Sequence, residues 1–437
     1  MEKIYLAIDL GASSGRHIIG KIVDNEIVTE EIHRFRNGAI NQDGHLVWDV
    51  ENLFNEIKTG IKKAFVKYPK IESLAIDSWG VDYALIKDGK PVMPIYAYRD
   101  DRTLEPIKEV HKILDEKALF NITGISYQPF NTIYQLYSDK MMGRLDGVDT
   151  FLMIPEFLNY LLTGNIKKEF TMASTTCLVN AKSHEFDQEI IEKLGLPKNI
   201  FKSLYEGGET VGRLKDEIAK EVGGNLDVKL CLSHDTASAF YIASLIGSQG
   251  SAYISSGTWS LLGTHEKVLH NDPKSLECGF TNEGGINKLY RFLKNIMGMW
   301  IINNVCNEIG ITPKDVAGLS ETSAYSYTVD VNHEDFLAPK SMIETFRKHL
   351  ELANAPAPNN DADIVRCAVC SLAKSYAESV KFMEEIIGRE FSDIVIVGGG
   401  ANNKLLNKLT EEYSGKKVIA KPIEATALGN LKIQMDN

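Results

Sequence analysis

The stretch YLAIDLGASSGR, residues 5–16, decides the fold. A short apolar run, Ile4–Ile8, leads into Asp9; a turn of small residues follows, and then His17–Val23 alternates between apolar and polar. That order predicts a strand, a tight turn and a returning strand. Half a chain later the pattern returns: Ala252-Tyr-Ile-Ser-Ser-Gly-Thr-Trp-Ser260 is again apolar strand, small-residue turn, apolar strand. Two such hairpins predict two related lobes.

Working outward, strand and helix patterns alternate throughout, which places the chain in the α/β class. Asp49 is placed to cap a helix whose apolar positions Val50, Leu53, Phe54, Ile57, Ile61 and Phe65 recur at helical spacing. Ser73–Ile76 reads as a strand running into Asp77-Ser-Trp-Gly-Val-Asp82, and Tyr83–Ile86 as another, turning at Asp88-Gly89. Ile364, Ala368, Leu372, Tyr376, Val380, Met383 and Ile387 predict a long helix closed by Gly388. Asp393–Val397 then reads as a buried strand ending in three glycines.

The composition sets limits. The chain has 437 residues, 48 Lys+Arg against 59 Asp+Glu and a formal charge of −11, so no basic footprint for nucleic acid or an acidic membrane dominates it. Its length favours more than one domain. The N-terminus has no basic segment followed by a long apolar one, and no stretch nears the roughly 20 apolar residues of a membrane span. Six cysteines in a chain this long are not a disulfide framework. A cytoplasmic protein is expected.

Four segments carry candidate chemistry. In Asp9–Arg16, small residues let backbone N–H groups approach an anion, Ser13 and Ser14 add hydroxyls, and Arg16 adds a charged donor. Asp9 is placed to hold a hydrated Mg²⁺; the same octapeptide also serves as a plain turn. Ser255–Ser260, with Gly257 and Thr258, offers a second phosphate hairpin or a structural turn. Val397–Asn403 holds Gly398, Gly399 and Gly400, bare backbone against which a flat ligand can lie, but Asn403 breaks the dinucleotide G-x-G-x-x-G pattern. Asp235 in LSHDTASA opens a predicted helix, whose dipole favours a carboxylate's charge; it serves as a cap or as a base. No Walker A lysine motif, protein-kinase H-R-D loop, G-x-S-x-G elbow or H-E-x-x-H pair is present. Cys367-Ala-Val-Cys370 lies inside the long helix and is discounted, and the histidines show no ligand clustering along the sequence.

Taken in order, these segments resemble the FGGY carbohydrate kinases of the actin/hexokinase/Hsp70 superfamily. The matching segments include DLGASSGR (9–16), WDVENL (48–53), IDSWGVDYAL (76–85), SHDTASA (233–239), SSGTWSLLG (255–263), TNEGG (281–285), LKNIMGMW (293–300) and VGGGANNKLLN (397–407), and they run nearly the length of the chain. SHDTASA, TNEGG and LKNIMG resemble in particular the branch that phosphorylates L-rhamnulose.

The resemblance implies two actin-like (ribonuclease H-like) α/β lobes, residues 1–243 and 244–437, with a cleft between them. It implies ATP-dependent phosphorylation of L-rhamnulose at O1, with Asp235 as general base. Ala12, Ser13, Ser14, Gly15 and Arg16 would wrap the ATP phosphates, with Asp9 near Mg²⁺. Thr258, Asn303, Gly399 and Gly400 would contact ATP, although Asn303 stands where the family pattern has Gln. Trp79, Gly80, Asp82, His234, Asp235, Thr236 and Asn295 would line the sugar pocket. The chain stops soon after Gly429-Asn430, earlier than typical members, with no loss of the site expected. The rival readings are an L-fuculose or L-xylulose kinase, or a non-catalytic actin-like sugar or nucleotide sensor, which would need no carboxylate such as Asp235.

Overall fold

The apolar run near the start of the chain is a central strand. In the computed structural model, which describes residues 3–421 and 423–437, β1 (Tyr5–Leu10) is buried at every position. It pairs antiparallel with β2 (Ser14–Val23), which pairs antiparallel with β3 (Glu26–Arg36). On its other side β1 runs parallel to β4 (Ser73–Ser78). With β5 (Thr210–Arg213) and β6 (Asp227–Lys229) the sheet has the order β5-β6-β4-β1-β2-β3. Strands buried on both faces need helices to cover them. One is α1 (Val50–Lys67), capped as expected by Asp49, whose side chain accepts from Asn52 N at 3.0 Å.

A second sheet repeats this plan. It comprises β7 (Ser251–Ser256), β8 (Ser260–Glu266), β9 (Phe280–Gly284), β10 (Tyr290–Ile296), β11 (Asp393–Val397) and β12 (Lys417–Lys421), in the order β9-β10-β8-β7-β11-β12. Set aside β5 and β9 at the edges, and each sheet is a three-stranded antiparallel meander followed by two parallel strands. The duplication read from the two hairpins therefore extends to whole sheets.

Two helices join the halves. α2 (Asp235–Ile246) lays Phe240 and Ala243 against Tyr253 and Val395 of the second sheet. The helices α3 (Met299–Ile309) and α4 (Asp361–Ile387) follow, α4 ending at Gly388 with φ +77° as its glycine predicts. Cys367 and Cys370 are buried within α4 with free thiols. The last helix, α5 (Ala425–Asp436), sets Ala427 and Leu431 on Tyr5, Ala7 and Ile18 of the first sheet. α2 and α5 meet at Gly429, where a Cβ would lie 2.2 Å from Ser238 O, so only glycine allows so close a crossing. Among the described residues no helix is long and apolar enough to cross a membrane.

Candidate active site

The hairpin between β1 and β2 is a closed turn: Gly11 N donates to Ser14 O at 2.8 Å, and Asn37 Nδ2 donates to Gly11 O at 2.9 Å. Ala12 and Ser13 form its tip, with Ser13 exposed and Ser14 partly so. Gly15 is buried, and a Cβ there would lie 2.2 Å from the Phe35 ring. Arg16 turns back toward the sheet, with Nε 3.1 Å from Asp9 Oδ2 and Nη1 donating to Glu424.

Asp9 and Asp77 are register neighbours on parallel strands, and both are almost wholly buried. Burial pushes Asp9 up to about 6; Arg16 opposes this, while Asp235 and Glu424 add to it. Asp77 is raised well above the usual carboxylate range by burial and by Asp9. Asn430 Nδ2, from α5, donates to one Asp77 oxygen at 2.6 Å, and Oδ1 is buried without a partner. Crowded buried carboxylates that repel one another, and an unpartnered hard oxygen among them, fit a divalent cation such as Mg²⁺.

Asp235 is the first residue of α2, and the cap position belongs to His234. The segment before it is fixed from two sides: Ser78 N donates to Ser233 O at 2.9 Å, and Ser233 N donates to Glu169 Oε2 at 3.1 Å. Asp235 Oδ1 accepts from Thr236 N at 2.5 Å and Thr236 Oγ1 at 3.0 Å, and lies 3.5 Å from His234 Nε2. Oδ2 has no hydrogen-bond partner among the described residues, and the side chain is 30% exposed, so this oxygen can take a proton from a ligand.

The second hairpin, α3 and the glycine turn form one cluster. Met299 N donates to Gly257 O at 3.1 Å and Trp300 N to Thr258 O at 3.0 Å. Thr258 is exposed at the tip, and Asn303 lies one turn along α3 from Met299, partly exposed. Gly398, with φ +87°, and Gly400 pack on the hairpin, where a Cβ on Gly400 would lie 1.9 Å from Ser256 Oγ. Gly399 has open space on its side-chain face. Thr258 and Gly399 are exposed and Asn303 partly so, whereas Gly400 is buried beneath the hairpin.

The expected sugar-pocket residues divide. Trp79 and Gly80 follow Ser78, which pairs with His234 beside Asp235, but Asp82 does not offer a free carboxylate. It is wholly buried, accepting from Trp48 Nε1 at 2.7 Å, Trp79 Nε1 at 2.9 Å, Tyr98 N at 3.1 Å and Gln135 Nε2 at 3.2 Å. Asp82 holds Trp79 in place from behind, and its wholly buried carboxylate is not open to a ligand. Between them, Asp82 N donates to Gly80 O at 2.9 Å across Val81, whose φ of +67° is a left-handed conformation rare for a β-branched residue. Such strain gathers at functional sites. Asn295 shares its face of β10 with Arg291, by the two-residue period of a strand.

Sequence reading missed Asp77, Asn430, Glu169, Glu283 and Arg291 as site residues. The signal for Asp77 and Arg291 was available: a charge at the end of an apolar run and a charge inside an apolar strand. Glu283 and Arg291 meet His234 from the second sheet: Glu283 Oε2 lies 3.2 Å from Nδ1, and Arg291 Nη2 lies 3.0 Å from it. The histidines also cluster more than the sequence suggests. His333, Asp335 and His349 bring ligand atoms within 4.8 Å of one another, but the Lys348 ammonium already sits 2.7 Å from Asp335.

Doubled sheets of this plan, with glycine hairpins and facing carboxylates, define the actin-like ATPase fold. The solved gluconate kinase from Lactobacillus acidophilus superposes with a TM-score of 0.82 at 14% identity, covering 100% of this chain and 89% of that one. Plasmodium falciparum glycerol kinase with ADP gives 0.78 at 15% identity, covering 99% and 89%. The models for the N- and C-terminal domains of the FGGY family of carbohydrate kinases match residues 4–240 and 252–435, and the chain belongs to that family. Among its relatives, the rhamnulokinase of Halalkalibacterium halodurans is 41% identical, with 98% of this chain and 92% of that protein aligned. That of Bacillus subtilis is 37% identical over 99% and 90%.

Proposed function

We propose that the protein transfers the γ-phosphoryl group of ATP to O1 of L-rhamnulose. One observation carries the chemistry: Asp235 presents a carboxylate with Oδ1 committed to its own helix and Oδ2 free, beside the Asp9–Asp77 pair. The relatives named rhamnulokinase, alignable over nearly the full chain, support the sugar.

In this reading Oδ2 accepts the proton of the sugar O1 hydroxyl as that oxygen bonds to the γ-phosphorus. The bond to the β-phosphate oxygen breaks, and ADP leaves. Ala12–Arg16 and Thr258 supply donors to the phosphates, while Asn303, Gly399 and Gly400 border the nucleotide. Mg²⁺, held beside Asp9 through water, would neutralise phosphate charge. Trp79 gives the sugar's methyl an apolar wall and Asn295 gives its hydroxyls a directional partner, while His234, both ring nitrogens facing protein groups, stands behind Asp235. The lobes, divided near residue 243, close over the sugar and exclude water that would otherwise hydrolyse ATP. We place this work in the cytoplasm, where ATP is supplied.

ADP release measured with a ketose panel tests the proposal. L-rhamnulose is expected to give the highest kcat/KM. A hydroxyl epimer such as L-fuculose should be much poorer, because buried polar groups lose their partners. A five-carbon ketose without the methyl should be only moderately impaired, since an apolar slot discriminates by about 1–3 kcal/mol. L-fuculose outperforming L-rhamnulose would overturn the sugar assignment, and no ADP release with any ketose would favour a sensor.

A further inference from the structure

His234 lies between two lobes' worth of charge. Its Nε2 faces Asp235 Oδ1 at 3.5 Å, and its Nδ1 faces Arg291 Nη2 at 3.0 Å and Glu283 Oε2 at 3.2 Å. Asp235 and His234 stand at the start of α2, while Glu283 and Arg291 come from the neighbouring strands β9 and β10. Arg291 is fully buried and held rigidly: Nε donates to Gly284 O at 2.7 Å, and Nη2 lies 2.8 Å from Glu283 Oε2.

A guanidinium has hydrogens and no lone pair, so an Nδ1–H pointing at Nη2 would set hydrogen against hydrogen. Nη2 hydrogen-bonds to Nδ1 and can only donate there, which leaves Nδ1 unprotonated; Glu283 Oε2, 2.8 Å from Nη2 and 3.2 Å from Nδ1, is buried and accepts a hydrogen bond from neither. The imidazole proton is then on Nε2, facing Asp235. We propose that Arg291 and Glu283 are positioning residues that hold His234 as the neutral Nε2–H tautomer, so that it donates to Asp235 Oδ1 and leaves Oδ2 as the base. Arg291 sets the tautomer, and Glu283 balances the Arg291 charge. The inference rests on Asp235 being the base. Burial raises Glu283, but the Arg291 guanidinium 2.8 Å away opposes it and keeps the carboxyl below its usual range, so the balancing charge persists across the working pH range.

The charged groups around His234 are Asp235 on α2, Glu283 on β9 and Arg291 on β10, with Glu169 bonded to the adjacent Ser233 N. They give two substitutions opposite signs. In Arg291→Gln the imidazole lies between the carboxylates of Asp235 and Glu283, which favours the imidazolium and replaces the lost cation. A cationic His234 makes Asp235 a weaker base. The kcat of Arg291→Gln should therefore gain an acid limb near neutral pH and fall about 10- to 100-fold at its foot. In Glu283→Gln the unbalanced arginine charge works against a second cation beside it, and the pH profile should keep the parent's shape.

Nitrogen-15 spectra of histidine-labelled parent protein read the tautomer directly, with Nε2 protonated and Nδ1 bare as the expected result. An Nδ1–H tautomer, or a folded Arg291→Gln variant with the parent's kcat–pH profile, would overturn the proposal. Adding Arg291→Gln to Asp235→Asn separates the two readings. If Arg291 acts through Asp235, the second change adds little; multiplicative losses would overturn the positioning role. Parent-like turnover by Asp235→Asn alone would instead overturn Asp235 as the base.

Discussion

Asn430 Nδ2 donates to Asp77 Oδ2 at 2.6 Å across 353 residues of chain, so the last helix is stitched beneath the carboxylate cluster of the first sheet. The stitch extends through Gln434, which donates to Asn430 Oδ1 at 2.7 Å and to Leu6 O at 3.1 Å and accepts from Ser73 Oγ at 2.7 Å. Asn430→Leu leaves Asp77 with neither oxygen partnered. Unfolding in urea should show a loss of about 1–3 kcal/mol, the cost of orphaning a buried polar group. An unchanged midpoint would show that the amide contributes nothing there.

Asp235→Asn keeps the side chain's size and removes its charge. Sugar binding should largely survive, while kcat falls about 10²–10⁴-fold, the usual range for a lost general base. Isothermal titration with L-rhamnulose, set beside steady-state rates, separates the two effects. Turnover within a few-fold of the parent would remove Asp235 from the chemistry.

Arg16 is held by Asp9 and Glu424 at the mouth of the first hairpin. Arg16→Ala removes a charged donor from the phosphate side, and Gly11→Val fills a turn whose Cβ position is 3.3 Å from Ser14 O. Both should weaken ATP more than sugar when each ligand's binding is measured alone. Equal losses for the two ligands would mean that the fold, and not the phosphate site, had been damaged.

His17 is fully buried on β2 with Nε2 3.1 Å from Ile57 O, and burial, with His33 adding, lowers it to about 3. A lowered folded value means that the unfolded chain takes up the proton first. The stability His17 provides is whole above pH 6.5 and is lost as the pH falls from there toward 3. Between pH 7 and pH 5 that is about 2 kcal/mol. His17→Leu should lower stability at pH 7 but lose about that much less than the parent on acidification. Parallel pH–stability curves would contradict the assignment.

Much of the fold is legible along the chain because its causes are local. The helical spacing of Val50, Leu53 and Ile57 and the cap at Asp49 are properties of neighbours, and they appear where the sequence puts them. So does α4, whose apolar spacing and Gly388 end require no partner to be recognised. The duplication was legible because a strand, a tight turn and a return strand demand the same residue classes wherever they occur. Asp235 was legible through its segment, although whether it caps the helix or faces a ligand was not.

What the tertiary structure alone decided is which polar groups are already spent. The family resemblance implies a sugar contact for Asp82, but it is wholly buried and four donors bond its carboxylate, two of them from Trp48 and Gln135, far away in sequence. Asp77 reads as the end of a strand, and only the pairing of β1 with β4 sets it beside Asp9. His234 meets Glu283 and Arg291 only because β9 and β10 come to rest against the start of α2. A sequence carries the types of its donors and acceptors in a line. Whether a given oxygen is free or filled depends on groups brought within about 3 Å by the packing of distant segments.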